Sequence, residues 1–167
     1  YNSHPSIFHV LGHMGYINSS DVDYFSPRID EYNSKLWSKV GKSGLERVYE
    51  QKLQGEHGKR FFQRNARGDR RVITDISPFI EGEELLISID FEAQKLAYDL
   101  MKDRKGSVVV IDLDDFSIPV AISTPSISAN DLRDISSLQY QDLLNDPARP
   151  LFNRAFMGLY PPASTIK

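Results

Sequence analysis

The stretch GKSGLERVYEQKLQG, residues 41–55, carries the most complete helix start and stop signals in this sequence. Ser43 and Glu46 have the spacing of a capping box, in which each side chain accepts a hydrogen bond from a backbone N–H at the helix start. Gly55 can end the helix, because glycine adopts left-handed backbone angles at low cost. The stretch therefore predicts a helix over about residues 44–54.

Several further elements follow from apolar periodicity and from turn residues. Residues 60–77 predict a hairpin with its turn near Gly68-Asp69, and the alternation at 85–89 predicts a strand. Asp90 can cap an amphipathic helix over about 91–103. The remaining predictions are a strand buried on both faces at 107–113, its partner at 116–123, a loop at 124–134, and helices at 135–144, at 151–159 and from about 164.

Composition limits the classes of protein to which the chain can belong. Its 167 residues suit one ordinary domain, or a small domain plus part of another. A hydrophobic content of 40% and a net charge of -3 are globular values that give no general affinity for nucleic acid. The absence of cysteine excludes disulfides and thiolate metal sites. No apolar run approaches the ~20 residues of a membrane-spanning helix. No signal peptide begins at Tyr1, and Lys167 falls where a helix is predicted to start, so we expect a piece cut at both ends.

Ser164-Thr165-Ile166-Lys167 has the S-x-x-K spacing, which on a helix puts the lysine amine one turn from the serine hydroxyl. A lysine with a lowered pKa can then take the serine proton and release a nucleophilic alkoxide. With 18 serines and 9 lysines, however, chance alone produces about one such match. The motif therefore identifies a catalytic serine only if the neighbouring residues also match a known site.

Those surroundings resemble a known family. Residues 153–167, NRAFMGLYPPASTIK, are similar to the N-R-A-x-x-G-x-Y-x-P-G-S-x-x-K stretch of penicillin-binding transpeptidases. Residues 41–50 resemble the G-x-x-G-[LIV]-E-x-x-Y-[ED] signature of the class B pedestal, and residues 105–130 resemble the opening hairpin and following loop of the transpeptidase domain. Residues 9–18 and 87–94 fit the elongation-type (penicillin-binding protein 2) members. Two departures are Ala163, where the family has glycine, and the turn at 114–119, which lacks T-G-x-[IVL].

The resemblance implies an α+β fold in two parts. An irregular pedestal (the dimerisation, non-penicillin-binding domain) of hairpins and short helices would occupy residues 1–103. The opening hairpin and first helices of a transpeptidase domain would occupy residues 104–167. The implied parent is a serine-type D,D-transpeptidase that cross-links peptidoglycan during elongation, with Ser164 as nucleophile, Lys167 as general base and no cofactor.

The resemblance also implies partners and location. Peptidoglycan stem peptides and β-lactams would bind the full-length enzyme, at the periplasmic side of a bacterial inner membrane with the anchor outside this chain. The S-x-N and K-[ST]-G motifs that complete the family's site follow the nucleophile, so we expect this chain alone to be inactive. The alternative role is an interaction module, since the family's pedestal docks a rod-shape scaffolding protein and a membrane glycosyltransferase.

A basic segment at residues 59–71 contains two aromatic residues among its cations. A protruding hairpin with solvated or paired cations explains it, and contact with protein or lipid is the main alternative. Binding to single-stranded nucleic acid would need the same residue types, but we expect no nucleic-acid partner. The candidate interaction residues are Arg60, Arg64, Arg67, Arg70 and Arg71.

Two groups of residues could suggest metal ligands, and we predict no metal site at either. His9 and His13 are four residues apart, but Gly12 disfavours a stable helix there and no third ligand is evident. Asp112, Asp114 and Asp115 are better explained by a strand end and a turn.

Overall fold

The computed structural model describes residues 4–18, 20–21, 39–55, 58–65, 68, 70–133 and 135–161, and at 59–62, 64 and 70–77 the description covers the backbone. Its contacts divide the chain into two compact units. The first joins Tyr1–Val48 to Ile87–Lys167, and the second is Tyr49–Leu86. These units are defined by contacts within the chain, whereas the predicted pedestal and transpeptidase parts are defined by resemblance to a family. The boundary between residues 103 and 104 therefore stays a prediction.

The first unit begins with short elements. A 3-10 helix Pro5–Ile7 leads into α1 (Phe8–Leu11), and β1 (Met14–Tyr16) pairs antiparallel with β2 (Lys39–Gly41). Helix α2 (Gly44–Val48) follows directly. Val40 of β2 is fully buried and Ile17 packs against it, so this end of the unit has an apolar centre.

The C-terminal half of the first unit is built around a two-stranded sheet. Helix α4 (Phe91–Met101) precedes β5 (Gly106–Val110), which pairs antiparallel with β6 (Val120–Thr124). Every residue of β6 is buried, because α4, the Pro5–Ile7 helix and α1 pack around it. A 3-10 helix Ala129–Leu132, α5 (Ser137–Asn145) and α6 (Arg154–Met157) complete the unit.

Gln94 ties three elements of this unit together. Its side chain is fully buried, and its amide nitrogen donates to the carbonyl oxygens of Ser6 and Ala121, both at 2.8 Å. The amide oxygen accepts from the Ala121 N–H at 2.8 Å. The Pro5–Ile7 helix, α4 and β6 are thereby held in one arrangement by a single satisfied polar group.

The second unit contains α3 (Glu50–Leu53) and an antiparallel hairpin of β3 (Lys59–Arg64) and β4 (Arg70–Ser77). Gly68 lies in the hairpin turn with a φ of +89°, and its N–H donates to the Asn65 carbonyl at 3.0 Å. The predicted hairpin is therefore confirmed. Gly55, with a φ of +63°, closely follows α3, as the helix-stop prediction requires.

Other local predictions are wrong in extent. The predicted helix 44–54 is two helices, because the backbone of Tyr49 leaves the α region (φ −104°, ψ 15°). Residues 85–89 alternate between half-buried and exposed, but among the described residues they join no sheet. The helix predicted at 151–159 is the single turn of α6, and the helix predicted from Ser164 lies outside the described residues.

The strands predicted at 107–113 and 116–123 are shorter than expected, since β5 ends at Val110 and β6 begins at Val120. The predicted burial of β5 is also wrong. We expected burial on both faces, whereas Val109 and Val110 are 40% and 44% exposed. The physical reason is that, in the described part of the chain, β5 pairs with β6 alone and is an edge strand of a two-stranded sheet. Apolar surface continues through three side chains in the following turn, Ile111, Leu113 and Phe116.

The mixture of short helices and small antiparallel sheets confirms the predicted α+β class. Among the described residues, the longest helix is α4 with 11 residues, and none has the length and apolarity that a bilayer span requires.

Candidate functional site

The pedestal-like signature forms a close-packed corner with α1. Gly44 has a φ of +61°, and a Cβ placed on it would lie 2.6 Å from the Gly12 nitrogen and the Val10 oxygen. Gly12 has a φ of +83°, and a Cβ there would lie 1.9 Å from the Ser43 carbonyl oxygen. At Gly41 a Cβ would lie 2.2 Å from the Glu46 carbonyl. The glycine spacing of the signature is thus explained by three backbone approaches that no side chain permits.

An ion cluster of Asp21, Lys42 and Arg47 links residues of the same corner. Asp21 is 2% exposed, and it accepts hydrogen bonds from the Lys42 amine and from the Arg47 guanidinium at 3.2 Å. Its carboxylate also accepts from the Asn18 N–H at 2.9 Å. Burial raises the pKa of Asp21, but the bonds from Lys42, Asn18 and Arg47 outweigh it and the pKa is lowered. The carboxylate therefore stays charged and fixes two cations, Lys42 directly after β2 and Arg47 in α2.

The two histidines examined as metal ligands have other roles. His13 Nδ1 lies 3.0 Å from the Ser43 hydroxyl, and burial together with the charge of Lys42 lowers the pKa of His13. His9 is 8% exposed and packs edge-on against Phe8, whose ring stacks on His13. Within the described ranges, no three His, Asp or Glu side chains converge as a metal cage.

Burial dominates the electrostatics of His9. It lowers the pKa of His9 to about 4; the carbonyl groups of Pro125 and Pro150 oppose this shift and the Arg154 charge adds to it. His9 is therefore neutral near pH 7. Its Nε2 atom has no hydrogen-bond partner in the described part of the chain.

The lead-in to the predicted nucleophile is fixed to the rest of the first unit. Asn153 caps α6 by accepting from the Phe156 N–H at 3.2 Å, and its amide donates to the His9 carbonyl at 3.0 Å. The Ser123 hydroxyl of β6 donates to the Phe152 carbonyl at 3.1 Å and lies 3.0 Å from the Arg154 N–H, which donates to it. Both α1 and β6 thus position the start of α6.

Arg154 is a buried cation, only 8% exposed, that organises the loop before α6. Its guanidinium donates to the carbonyl oxygens of Ala148 at 2.6 Å and Arg149 at 3.0 Å. Arg154 and Gln94 lie in stretches that resemble the family, but no structural role was predicted for either. The available signal for both was a charged or polar residue among apolar positions of a helix. Such a residue, if buried, needs hydrogen-bond partners from neighbouring elements.

The predicted site residues fall unevenly on the described structure. Ser164, Lys167 and Arg67 lie outside the described residues. The backbones of Arg60 and Arg64 lie on β3, and those of Arg70 and Arg71 on β4, where Gln63 pairs with Arg71 and Arg64 with Arg70. The hairpin therefore brings Arg64, Arg70 and Arg71 together next to its turn, whereas Arg60 pairs with Asp75 towards the other end of the hairpin.

Asp112, Asp114 and Asp115 form a turn, as predicted. The Asp112 carboxylate accepts from the Asp114 N–H, and the Asp115 carboxylate accepts from the Ser117 N–H, both at 2.9 Å. These short-range bonds stabilise the β5–β6 connection and account for the acidic residues without a metal.

Two tripeptides upstream of Ser164 match the patterns of motifs that we expected only after Ser164. Ser128-Ala129-Asn130 has the S-x-N pattern, and Lys42-Ser43-Gly44 has the K-[ST]-G pattern. In the structure Ser128 caps a 3-10 helix, accepting from the Asn130 N–H at 3.2 Å, and Ser43 contacts His13. Both serines therefore have local structural roles.

Comparison with known proteins supplies the family. The model of the penicillin-binding protein dimerisation domain matches residues 1–86. The chain is 41% identical over 162 residues to the peptidoglycan D,D-transpeptidase MrdA of Haemophilus influenzae, covering 95% of this chain and 25% of that protein. The chain thus spans about a quarter of the length of the curated relatives that it matches.

Two solved structures are similar over nearly all of the chain. One is Pseudomonas aeruginosa PBP2 in complex with WCK 5153, with a TM-score of 0.74 and 29% identity, covering 97% of this chain and 31% of that one. The other is the complex of PBP2 with MreC from Helicobacter pylori, with a TM-score of 0.76 and 30% identity, covering 98% and 30%. The residues matched by the family model exceed half of the chain, and on that basis the chain belongs to the penicillin-binding protein dimerisation domain family.

Proposed function

We propose that the protein carrying this chain is a peptidoglycan D,D-transpeptidase that works through an acyl-serine intermediate. The observation that carries this proposal is the 41% identity with the H. influenzae transpeptidase, which extends over 95% of the chain. The lead-in to Ser164 adds support, because Asn153 and Arg154 tie it to α1 and β6.

In the proposed reaction, Lys167 removes the proton of the Ser164 hydroxyl, and the serine oxygen attacks the carbonyl carbon of the penultimate D-alanine of a stem peptide. The terminal D-alanine leaves with a proton, and an amine of a second stem peptide then displaces the serine. The Ser164 N–H at a helix start would stabilise the oxyanion. β-Lactams would acylate the same hydroxyl, and no cofactor takes part.

The test is turnover of stem peptides that end in D-alanyl-D-alanine by the full protein. We expect Ser164→Ala and Lys167→Ala to lower D-alanine release and cross-linking at least about a thousandfold. Lys95→Ala, at an exposed position on α4, serves as the control and should keep the activity. Unchanged turnover in Ser164→Ala would reject the proposed nucleophile.

A second role is specifically favoured for the pedestal, residues 1–103 in our proposed division. The H. pylori relative was solved in complex with MreC and matches 98% of this chain. We infer that the chain docks a rod-shape scaffolding protein and, in the assembled enzyme, a membrane glycosyltransferase at the periplasmic side of the inner membrane. The membrane anchor would lie outside this chain.

The basic hairpin is the proposed contact for those partners. Replacing Arg60, Arg64, Arg67, Arg70 and Arg71 by glutamate should lower co-purification of the scaffolding protein at least about tenfold. A control variant with glutamate at three exposed cationic positions of the first unit, Lys95, Lys102 and Arg104, should retain the partner. Equal retention by both variants would remove the hairpin from the interface.

A further inference from the structure

A cleft in the first unit lies next to the ion cluster and has a volume of about 480 Å³. That volume falls within the range of roughly 300–1,000 Å³ that is usual for ligand pockets. All three residues of β1 line it, together with Lys39 of β2 and, on the opposite part of the chain, Leu132, Arg133 and Tyr140. The cleft is therefore formed by two segments that are distant in sequence but belong to one compact unit.

The charge of the described lining residues is strongly positive. Lys39, Lys42, Arg47 and Arg133 face one carboxylate, Asp21, which leaves an excess of three positive charges. The two inner cations are held in place, since Asp21 binds both Lys42 and Arg47. Lys39 and Arg133 are exposed and lie outside this ion cluster. A concave surface with fixed cations attracts anions more strongly than the same charges spread over a convex surface.

The cleft also has an apolar component and an extended wall. Met14 and Tyr16 of β1 are 44% and 57% exposed, and the Lys39 amine lies 5.3 Å from the centre of the Tyr16 ring. Leu132, Ile135 and Tyr140 add apolar and aromatic surface. A strand of three residues extends over roughly 10 Å, about the length of an extended segment of three or four residues. Free phosphate would use the cations and leave the apolar wall unused.

We propose that this cleft binds an extended acidic peptide segment of a partner protein. Its carboxylates would pair with Lys39 and Arg133 at the rim, and its apolar side chains would cover Met14 and Tyr16. The inner cations, fixed by Asp21, add attraction without ordering cost at the moment of binding. This inference does not depend on the transpeptidase assignment, since the cleft contains none of the residues in the proposed reaction.

The test uses an acetylated and amidated hexapeptide that alternates leucine and glutamate, titrated calorimetrically into the purified protein. We expect binding that weakens at least about fivefold between about 50 mM and about 300 mM NaCl, because screening shortens the reach of the exposed charges. The same peptide with glutamine in place of glutamate should bind at least about tenfold more weakly.

Variants locate the binding. Lys39→Glu combined with Arg133→Glu changes two exposed cations that are outside the Asp21 cluster, and should weaken binding at least about tenfold. Lys95→Glu combined with Arg104→Glu changes net charge equally at exposed positions on and after α4, and should leave the affinity within about twofold. Circular dichroism checks that both variants are folded.

Three results would overturn the proposal. They are no measurable heat up to about 1 mM peptide, equal weakening by both double variants, and equal affinity for the glutamine peptide. Displacement of the hexapeptide by stoichiometric inorganic pyrophosphate would also count against it, because a compact anion would then suffice.

Discussion

The backbone of Gly44 has a φ of +61° and runs against the end of α1, where an added Cβ would lie 2.6 Å from three backbone atoms. Backbone atoms cannot rotate away as a flexible side chain can. The close approach therefore requires glycine for two separate reasons, conformation and space.

The variant Gly44→Ala should lower the free energy of unfolding by about 2–4 kcal/mol, the sum of left-handed strain and overpacking. Gly68→Ala is the matched control, because Gly68 has a φ of +89° but nothing within 4 Å of its added Cβ. It should cost only about 1–2 kcal/mol. Urea denaturation measures both, and equal losses would show that the contact with α1 is unimportant.

His9 makes stability depend on pH in a defined window. Its pKa is lowered from 6.5 to about 4 in the folded chain, so the unfolded chain binds a proton first as the pH falls. The stability contributed by neutral His9 is complete above pH 6.5 and is lost between 6.5 and about 4. The loss amounts to about 3 kcal/mol at most.

Urea denaturation at about pH 7.5 and about pH 4.5 tests this, with His9→Gln as the control that cannot titrate. The variant should lose less stability on acidification than the original chain. His13 acts in the same direction and remains in both proteins. The stability contributed by Asp21, whose pKa is lowered, is complete above its ordinary value of 3.8 and is lost only below it, outside the window. Parallel pH profiles would contradict the assignment to His9.

At the scale of elements, Gln94 joins α4 to the Pro5–Ile7 helix and to β6 through three hydrogen bonds. Gln94→Leu replaces the amide with an apolar side chain of similar size. The carbonyl groups of Ser6 and Ala121 and the Ala121 N–H then lose this hydrogen-bond partner. Burying unpaired polar groups costs about 1–3 kcal/mol each. We expect a loss of about 3 kcal/mol or more in denaturant unfolding.

Lys95→Leu, on the exposed side of the same helix, is the control and should change stability by less than about 0.5 kcal/mol. A Gln94→Leu variant as stable as this control would show that the three elements are held by apolar packing alone.

Elements with local signals could be predicted from sequence. Asp90 caps α4, and its side chain accepts a hydrogen bond from the Ala93 N–H at 3.0 Å. This cap could be predicted because it involves residues four positions or fewer apart. The hairpin at residues 59–77 and the aspartate turn at 112–115 have equally local causes. Their approximate positions were therefore right.

Features that depend on distant residues could not be predicted. The exposure of Val109 and Val110 depends on what packs beside β5, and an apolar run alone is the same for a buried strand and for an edge strand. The pairing of Asp21 with Lys42 and Arg47 spans more than 20 residues, and no spacing rule links them. The charged cleft near Asp21 was missed for the same reason.

At the scale of the whole molecule, we propose a pedestal followed by the first elements of a transpeptidase domain. The family model matches residues 1–86, and the chain spans about a quarter of its curated relatives. Several apolar side chains near the C-terminal end are exposed, including Phe156, Met157 and Leu159. Such surface favours association of the isolated chain.

The most direct test of the central claim is covalent labelling with a fluorescent penicillin, followed by peptide mapping. It compares the full protein, its Ser164→Ala variant and the 167-residue chain. We predict one labelled peptide that contains Ser164 in the full protein, no label in the variant and none in the isolated chain. Label that persists in Ser164→Ala, or that appears on Ser164 of the isolated chain, would contradict the account.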